Sequence, residues 1–220
     1  SMFWKRKKTV STPSFSPGDV AGFWEWFRFN ELAIVELNRK AKEKGGFDQE
    51  VCDAIGSAVH LFRQGLTFEA GFTAEGKFEL IISADGIFAE FPSVLNLISG
   101  AYKSDLCVFT AFRPRLKNLS VNIHGLSLSD DNTFFAIRDS IHDTGRCDIA
   151  VMFDWNGVES DKARQAAYIR LDTTVGEYDV ETLMAQIDCL DLKDCDNVPK
   201  RPLSELPECL DQFAGTLRKN

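Results

Sequence analysis

The apolar residues that follow Asp19 recur at the spacing of an α-helix, at Phe23, Phe27, Ile34, Leu37 and Ala41. Asp19 is a favourable N-cap residue, and the glycines at 45 and 46 end the pattern, which predicts an amphipathic helix from Asp19 to about Lys44. The same reasoning predicts a second helix from the cap Asp48 to the stop at Gly65. The chain therefore begins its fold with a pair of helices.

The hydrophobic period changes from helical spacing to strict alternation after Gly65. Apolar and polar residues alternate over residues 66–73 and again over residues 77–84, and the three residues between these runs end in glycine. This arrangement predicts a β-hairpin with a three-residue loop. The predicted register pairs apolar residues on the core side, Phe72 with Phe78 and Phe68 with Ile82.

The rest of the chain mixes both periods. Strands are predicted near residues 106–112, 119–124, 133–138, 147–155 and 184–190, and helices near residues 90–102, 161–175 and 203–217. The run Leu106–Phe109 is apolar on both faces, which predicts a central strand. The pattern as a whole predicts an α+β fold, in which an N-terminal helical pair packs with a largely antiparallel mixed sheet of six or seven strands.

Residues 1–18 lack a core-forming pattern, since four successive cations precede a stretch rich in Ser, Thr and Pro. We predict a disordered basic tail over residues 1–18 and a single α+β domain over residues 19–217. Removal of residues 2–16 is then expected to change the melting temperature little. No apolar stretch follows the cations, so the sequence predicts a cytoplasmic protein with no export signal and no stable membrane anchoring.

Acidic residues are concentrated near the C-terminus. The whole chain has 25 Lys and Arg against 33 Asp and Glu, and the segment from Asp172 to Asp211 alone has eleven acids against three cations. Such a surface repels phosphates and attracts a basic protein partner, so no nucleic-acid binding through the folded domain is expected. The candidate contact residues are Asp188, Asp191, Asp194 and Asp196. The alternative is a solvated acidic face without a partner.

The six cysteines do not have the spacing of a metal site or of a disulfide framework. They lie at Cys52, Cys107, Cys147, Cys189, Cys195 and Cys209, with no CxxC pair and no histidine near the last three. We therefore predict reduced thiols, no structural zinc and no cofactor. Cys107 and Cys147 lie in strand-like apolar runs, which predicts that they are small core residues.

Two pairs of charged residues are candidates for a binding or catalytic site. Glu69 and Glu79 share one face of the predicted hairpin, at a separation that paired carboxylates use in acid/base chemistry. Arg113 and Arg115 flank a proline at a strand end and are candidates to bind a carboxylate or a phosphate. The simpler interpretations are a solvated sheet face for the glutamates and ion pairs with nearby acids for the arginines.

Asp148 and Asp154, together with a histidine such as His142, have ligand types that suit a divalent metal. The competing interpretation, a polar outer face of a strand, accounts for both acids. The chain contains none of the short signatures of nucleotide-binding loops, serine hydrolases, zinc proteases or EF-hands. The absence of these motifs disfavours the common enzyme classes that carry them, whereas enzymes with dispersed active sites stay open.

Four stretches of the sequence resemble an uncharacterised family of bacterial cytoplasmic proteins of unknown function, namely residues 66–69, 79–86, 109–115 and 171–177. The resemblance extends over about Asp19 to Leu217. It implies an intracellular α+β domain and assigns no activity and no functional residue.

The sequence thus favours a non-catalytic intracellular domain that binds another protein, such as a regulatory or toxin-neutralising partner. The alternative is a hydrolase or transferase with a dispersed site made of Glu69, Glu79, Arg113 and Arg115.

Overall fold

The computed structural model describes residues 9–141 and 145–217, and it confirms the α+β class and the N-terminal helical pair. The chain divides into two compact units, residues 1–112 and 113–220, and each unit has its own hydrophobic core. The single domain over residues 19–217 stays a prediction, and the sequence also predicts one sheet of six or seven strands. The strands of the described residues instead form three sheets, of three, two and four strands.

The described elements of the first unit are three helices and three strands: α1 (Val20–Glu43), α2 (Gln49–Phe62), β1 (Thr67–Phe72), β2 (Phe78–Ser83), α3 (Phe91–Ser99) and β3 (Cys107–Ala111). Both predicted N-caps are confirmed, because the carboxylates of Asp19 and Asp48 accept hydrogen bonds from the backbone N–H groups of Gly22 and Val51. These caps fix the start of α1 and α2, whose apolar faces form most of the core of this unit.

The predicted hairpin register is confirmed. Phe72 lies opposite Phe78 and Phe68 lies opposite Ile82 in the antiparallel pair of β1 and β2. β3 pairs with β2 in parallel and lies at the edge of this sheet, so the prediction of a central strand at this position is wrong. The apolar character of β3 comes from one covered face, since the ring of Phe109 contacts Trp24 and Phe27 of α1.

Residues 9–18 lie against α1, which differs from the disordered tail predicted for residues 1–18. Ser11 forms hydrogen bonds with the buried side chain of Asn30, and its carbonyl oxygen accepts one from Nε1 of Trp26 at 2.9 Å. The ring of Phe15 packs edge-on against Phe23. The composition of this segment correctly indicated a loop, but hydrogen bonds to polar groups of α1 hold the loop in place. Residues 1–8 lie outside the described residues.

The described elements of the second unit are β4 (Val121–Ile123), β5 (Leu126–Leu128), β6 (Phe134–Ile141), β7 (Arg146–Phe153), α4 (Ser160–Val175), α5 (Glu177–Leu183), β8 (Met184–Asp191), β9 (Arg201–Pro202) and α6 (Leu206–Leu217). The larger sheet has the order β8-β7-β6-β9, in which β7 and β8 are parallel and the other pairs antiparallel. α4 and α5 form the crossover between the parallel strands. Gly176 separates these two helices with a φ of +90°, a conformation that favours glycine.

Candidate functional site

Glu69 and Glu79 lie on one face of the sheet of the first unit, as the sequence predicted. Glu69 is exposed on β1, and the half-buried Glu79 on β2 accepts a hydrogen bond from the hydroxyl of Thr110 at 2.9 Å. In the observed register Glu69 is opposite Ile81 and Glu79 is opposite Gly71, so the two carboxylates are diagonal neighbours. Glu79 is therefore in the environment of a polar sheet face, since it is bonded to a threonine hydroxyl of the neighbouring strand β3.

Arg115 of the second unit is held by internal contacts. Its guanidinium donates to both carboxylate oxygens of Asp211 at 3.0 and 2.7 Å, to Asp179 at 2.7 Å and to the carbonyl oxygen of Val175 at 2.9 Å. The carboxylate of Asp211, followed by that of Asp179, raises the pKa of Arg115. These bonds occupy the bidentate geometry that an incoming anion would need.

The backbone of Arg113 is bonded to Glu177, a carboxylate that is fully buried. The N–H of Arg113 donates to Oε2 of Glu177 at 3.1 Å, and the N–H of Glu177 donates to the carbonyl oxygen of Arg113 at 3.1 Å. Gly176, next to Glu177, has a φ of +90°, and this backbone conformation favours glycine at the junction. The segment 113–115 is therefore anchored to the junction of α4 and α5.

The four acidic residues proposed as contacts have different environments. Asp188 forms an ion pair with Arg138 at 2.8 Å, and hydrogen bonds from Gln186, followed by those from Arg138, lower the pKa of Asp188. Asp191 is buried and pairs with Lys193 at 2.9 Å, a contact that lowers the pKa of Asp191. Asp194 and Asp196 are exposed. The acidic segment is therefore not one continuous surface of available carboxylates.

Two further carboxylates, Asp131 and Asp154, lie at a concave site of the second unit. They line a cavity of about 250 Å³ whose apolar wall comes from Leu126, Leu128, Phe134 and Phe153. We call this cavity, with the lining residues Asp131, Asp154, Asn132, Asn156 and Leu192, the acidic pocket. Both aspartates are exposed, whereas Leu126, Leu128 and Phe153 are buried.

Turn chemistry positions the two aspartates of the acidic pocket. Asp154 follows β7 directly, and its Oδ1 accepts from the backbone N–H of Asn156 at 2.9 Å, which fixes the turn. Asp131 precedes β6 in the turn where Asn132 bonds the backbone of Ser127 and Ser129. Asp154 also acts on Lys193. The carboxylate of Asp191 has the largest effect in raising the pKa of Lys193, and those of Asp194 and Asp154 raise it further. Sequence analysis missed Asp131, because nothing in the sequence places the β5–β6 turn beside the end of β7.

The metal-site hypothesis gains no support in the described part of the chain. Asp148 accepts a hydrogen bond from the backbone N–H of Gln186, and Asp154 serves the turn that follows β7. Residues 9–141 and 145–217 contain no group of three or more His, Cys, Asp and Glu side chains that could hold a metal ion. His142 lies outside the described residues.

All six cysteines are free thiols. Burial raises the pKa of Cys107 to about 12 and that of Cys147 to about 11, with further effects from Glu31 and Asp148 respectively. Burial likewise raises the pKa of Cys189 to about 11. Cys52 and Cys209 are half-buried. Raised pKa values mean that little thiolate is present near neutral pH, so these buried thiols are poor nucleophiles.

These thiols should make the protein less stable at alkaline pH. An unfolded thiol loses its proton near pH 9.0, whereas folded Cys107 and Cys147 hold theirs until about 12 and 11, so their contribution is complete below pH 9.0 and is lost as the pH rises. Urea unfolding in the presence of reductant should give a constant stability near pH 8 and a falling one above pH 9.0. A Cys107→Ala/Cys147→Ala variant should show a smaller decline, and an equal decline in both proteins would contradict the assignment.

Comparison of the sequence with protein-family models and curated proteins, and with solved structures, found no match. The family resemblance of the four sequence stretches therefore stays a prediction. In the described residues no helix is both long enough and apolar enough to cross a membrane.

Proposed function

We propose that this protein is a non-catalytic protein-binding domain, and that the acidic pocket of its second unit binds a basic side chain of a partner protein. The observation that carries the proposal is the combination of an apolar wall with two exposed carboxylates in one small cavity. Lys and Arg side chains have this dual character, since an apolar stem carries a charged end. In keeping with the family resemblance, we place the partner in a bacterial cytoplasm, as a regulatory or toxin-like protein.

The size of the acidic pocket supports a side chain rather than a whole small molecule as its occupant. Its volume of about 250 Å³ lies below the range of roughly 300–1,000 Å³ that is typical of small-molecule sites. The carboxylates of Asp131 and Asp154 would accept hydrogen bonds from a guanidinium or an ammonium group at the rim. Because this attraction is electrostatic, the association rate should fall as salt is added.

A basic peptide tests this proposal. We expect a fluorescent eight-residue peptide of alternating Arg and Ser to bind the wild-type protein, and the Asp131→Asn/Asp154→Asn variant to bind it about tenfold more weakly. The Asn side chain keeps the hydrogen-bond acceptor that the turn after β7 needs. A control with one charge removed is Asp161→Asn, which lacks an exposed carboxylate of α4 outside the pocket. Equal affinities for all three proteins would refute the acidic pocket as the binding site.

A further inference from the structure

β9 covers only the beginning of β6. In their antiparallel register Phe134 lies opposite Pro202 and Phe135 lies opposite Arg201, whereas β6 continues to Ile141. Beyond Phe135, the described residues provide no strand on this side of β6. The larger sheet therefore has an open edge, and an open edge presents backbone groups that can pair with another chain.

The ladder shows which residues of β6 face this edge. The N–H of Leu203 donates to the carbonyl oxygen of Thr133 at 2.9 Å, so Thr133 directs its backbone polar groups towards β9. These groups alternate in direction along an antiparallel strand, and therefore Phe135 and Ile137 direct theirs to the same side. The alternation is uninterrupted up to Ile137, because the register with β7 shifts only between Ile137 and Asp139.

Two prolines determine where β9 pairs and where it stops. Pro202 lies opposite Phe134, at a position where the partner strand does not need to donate. Continuing the same register places Pro199 opposite Ile137, where a partner residue would have to donate its N–H. Proline has no N–H, so the ladder cannot continue and the chain leaves the sheet. The backbone N–H and C=O of Ile137 are thus left at the open edge.

A groove lies between this edge and the departing loop. It has a volume of about 610 Å³ and is lined by residues 135–138 of β6 and residues 197–201 of the loop. We call it the edge groove. Ile137 is 42% exposed beside it and adds an apolar side chain to the groove.

The charge of the edge groove selects its ligand. Arg138, Lys200 and Arg201 line it, and none of the described residues that line it is acidic. Arg138 and Arg201 form ion pairs with Asp188 and Glu205; Asp188 is half-buried, and the other three side chains are exposed. Exposed ion pairs contribute little stability, so incoming carboxylates can compete for these guanidinium groups.

We propose that the edge groove binds an extended acidic segment of a partner protein, which adds as a strand beside β6. The backbone groups of Ile137 would supply the strand pairing, and Lys200 and Arg138, which lie on one face of the sheet, would pair with carboxylates on alternate residues of the segment. This site is separate from the acidic pocket in residues and in ligand charge, and it does not depend on the function proposed above.

A synthetic peptide of alternating Glu and Val, eight residues long with blocked termini, is the probe for this site. Fluorescence anisotropy should show saturable binding below about 1 mM. Binding should slow hydrogen exchange at the amide of Ile137 and leave that of Ala136, which faces β7, unchanged. Two versions of the peptide, methylated on alternate backbone nitrogens in either frame, should include one that no longer binds, because strand addition needs N–H donors from one edge.

Three variants complete the test. Lys200→Glu should weaken binding about tenfold, whereas Lys162→Glu, a matched reversal on α4, and Asp131→Asn/Asp154→Asn should leave it unchanged. The proposal is overturned if no binding occurs up to about 1 mM, if both methylated peptides bind as well as the parent, or if a Lys–Val peptide binds equally. Unchanged exchange at Ile137 in the saturated complex would also overturn it.

Discussion

Deletion of residues 2–16 should lower the free energy of unfolding by about 3 kcal/mol. The deletion removes Ser11, whose backbone and hydroxyl satisfy the amide of Asn30 and whose carbonyl oxygen accepts from Nε1 of Trp26. Asn30 is only 3% exposed, so the loss of these partners leaves its buried amide short of hydrogen bonds. The deletion also uncovers the ring of Phe23, against which Phe15 packs. Hydrogen exchange of peptides from α1 and α2, measured as a function of urea, reports the change for the first unit.

A shorter deletion provides the control for this result. Removal of residues 2–8 retains Ser11 and Phe15 with all the contacts described above, so it should cost much less than removal of residues 2–16. Equal stability of the longer deletion and the intact protein would mean that residues 9–18 are not part of the folded structure, as their composition alone suggested.

Asp130→Asn should destabilise the second unit by about 3 kcal/mol. The guanidinium of Arg170 is only 1% exposed, and it donates to Asp130 and, at 2.6 Å, to the carbonyl oxygen of Leu119. Asparagine keeps the size and one acceptor of the aspartate but removes the charge, and the guanidinium is then buried without a counter-ion. Hydrogen exchange of peptides from α4 and the larger sheet, measured as a function of urea, reports the loss for this unit.

Two comparisons make this prediction specific. Asp131→Asn, at the neighbouring exposed position, should change stability by less than about 0.5 kcal/mol. Arg170→Met in the background of Asp130→Asn should recover part of the loss, because an apolar side chain needs no counter-ion. If Asp130→Asn and Asp131→Asn are equally stable, the carbonyl oxygen of Leu119 is a sufficient partner for Arg170.

Local signals predicted the first unit well. The caps at Asp19 and Asp48 and the alternation on both sides of Gly76 depend on residues close in sequence, and each element was found with the predicted register or start. β3 was misplaced because an apolar run does not reveal whether one face or two are covered. The covered face of β3 contacts α1, where Trp24 packs against Phe109 although the two residues are 85 positions apart in the sequence.

The candidate sites depend on contacts that sequence patterns do not contain. The sequence identified Arg115 as a candidate to bind a carboxylate or a phosphate. In the structure its bidentate partner is Asp211, which agrees with the simpler interpretation of an ion pair with a nearby acid. The acidic pocket joins the turn at Asp131 to the end of β7 at Asp154, and no local pattern relates the two. The edge groove was also missed, although the spacing of Pro199 and Pro202 by three residues is visible in the sequence.

The division of the chain into two contiguous units has a consequence for its synthesis on the ribosome. The first unit has all its described elements before residue 113, so its core can close while the second unit is still being translated. Within the second unit, β6 and β7 emerge as a hairpin, whereas β9 follows Phe153 only after 48 residues. At typical rates of translation this interval is ~2–10 s, during which the whole edge of β6 lacks its partner strand in the nascent chain. The hairpin is therefore most exposed to aggregation, and to chaperones that recognise extended apolar segments, before translation reaches Arg201.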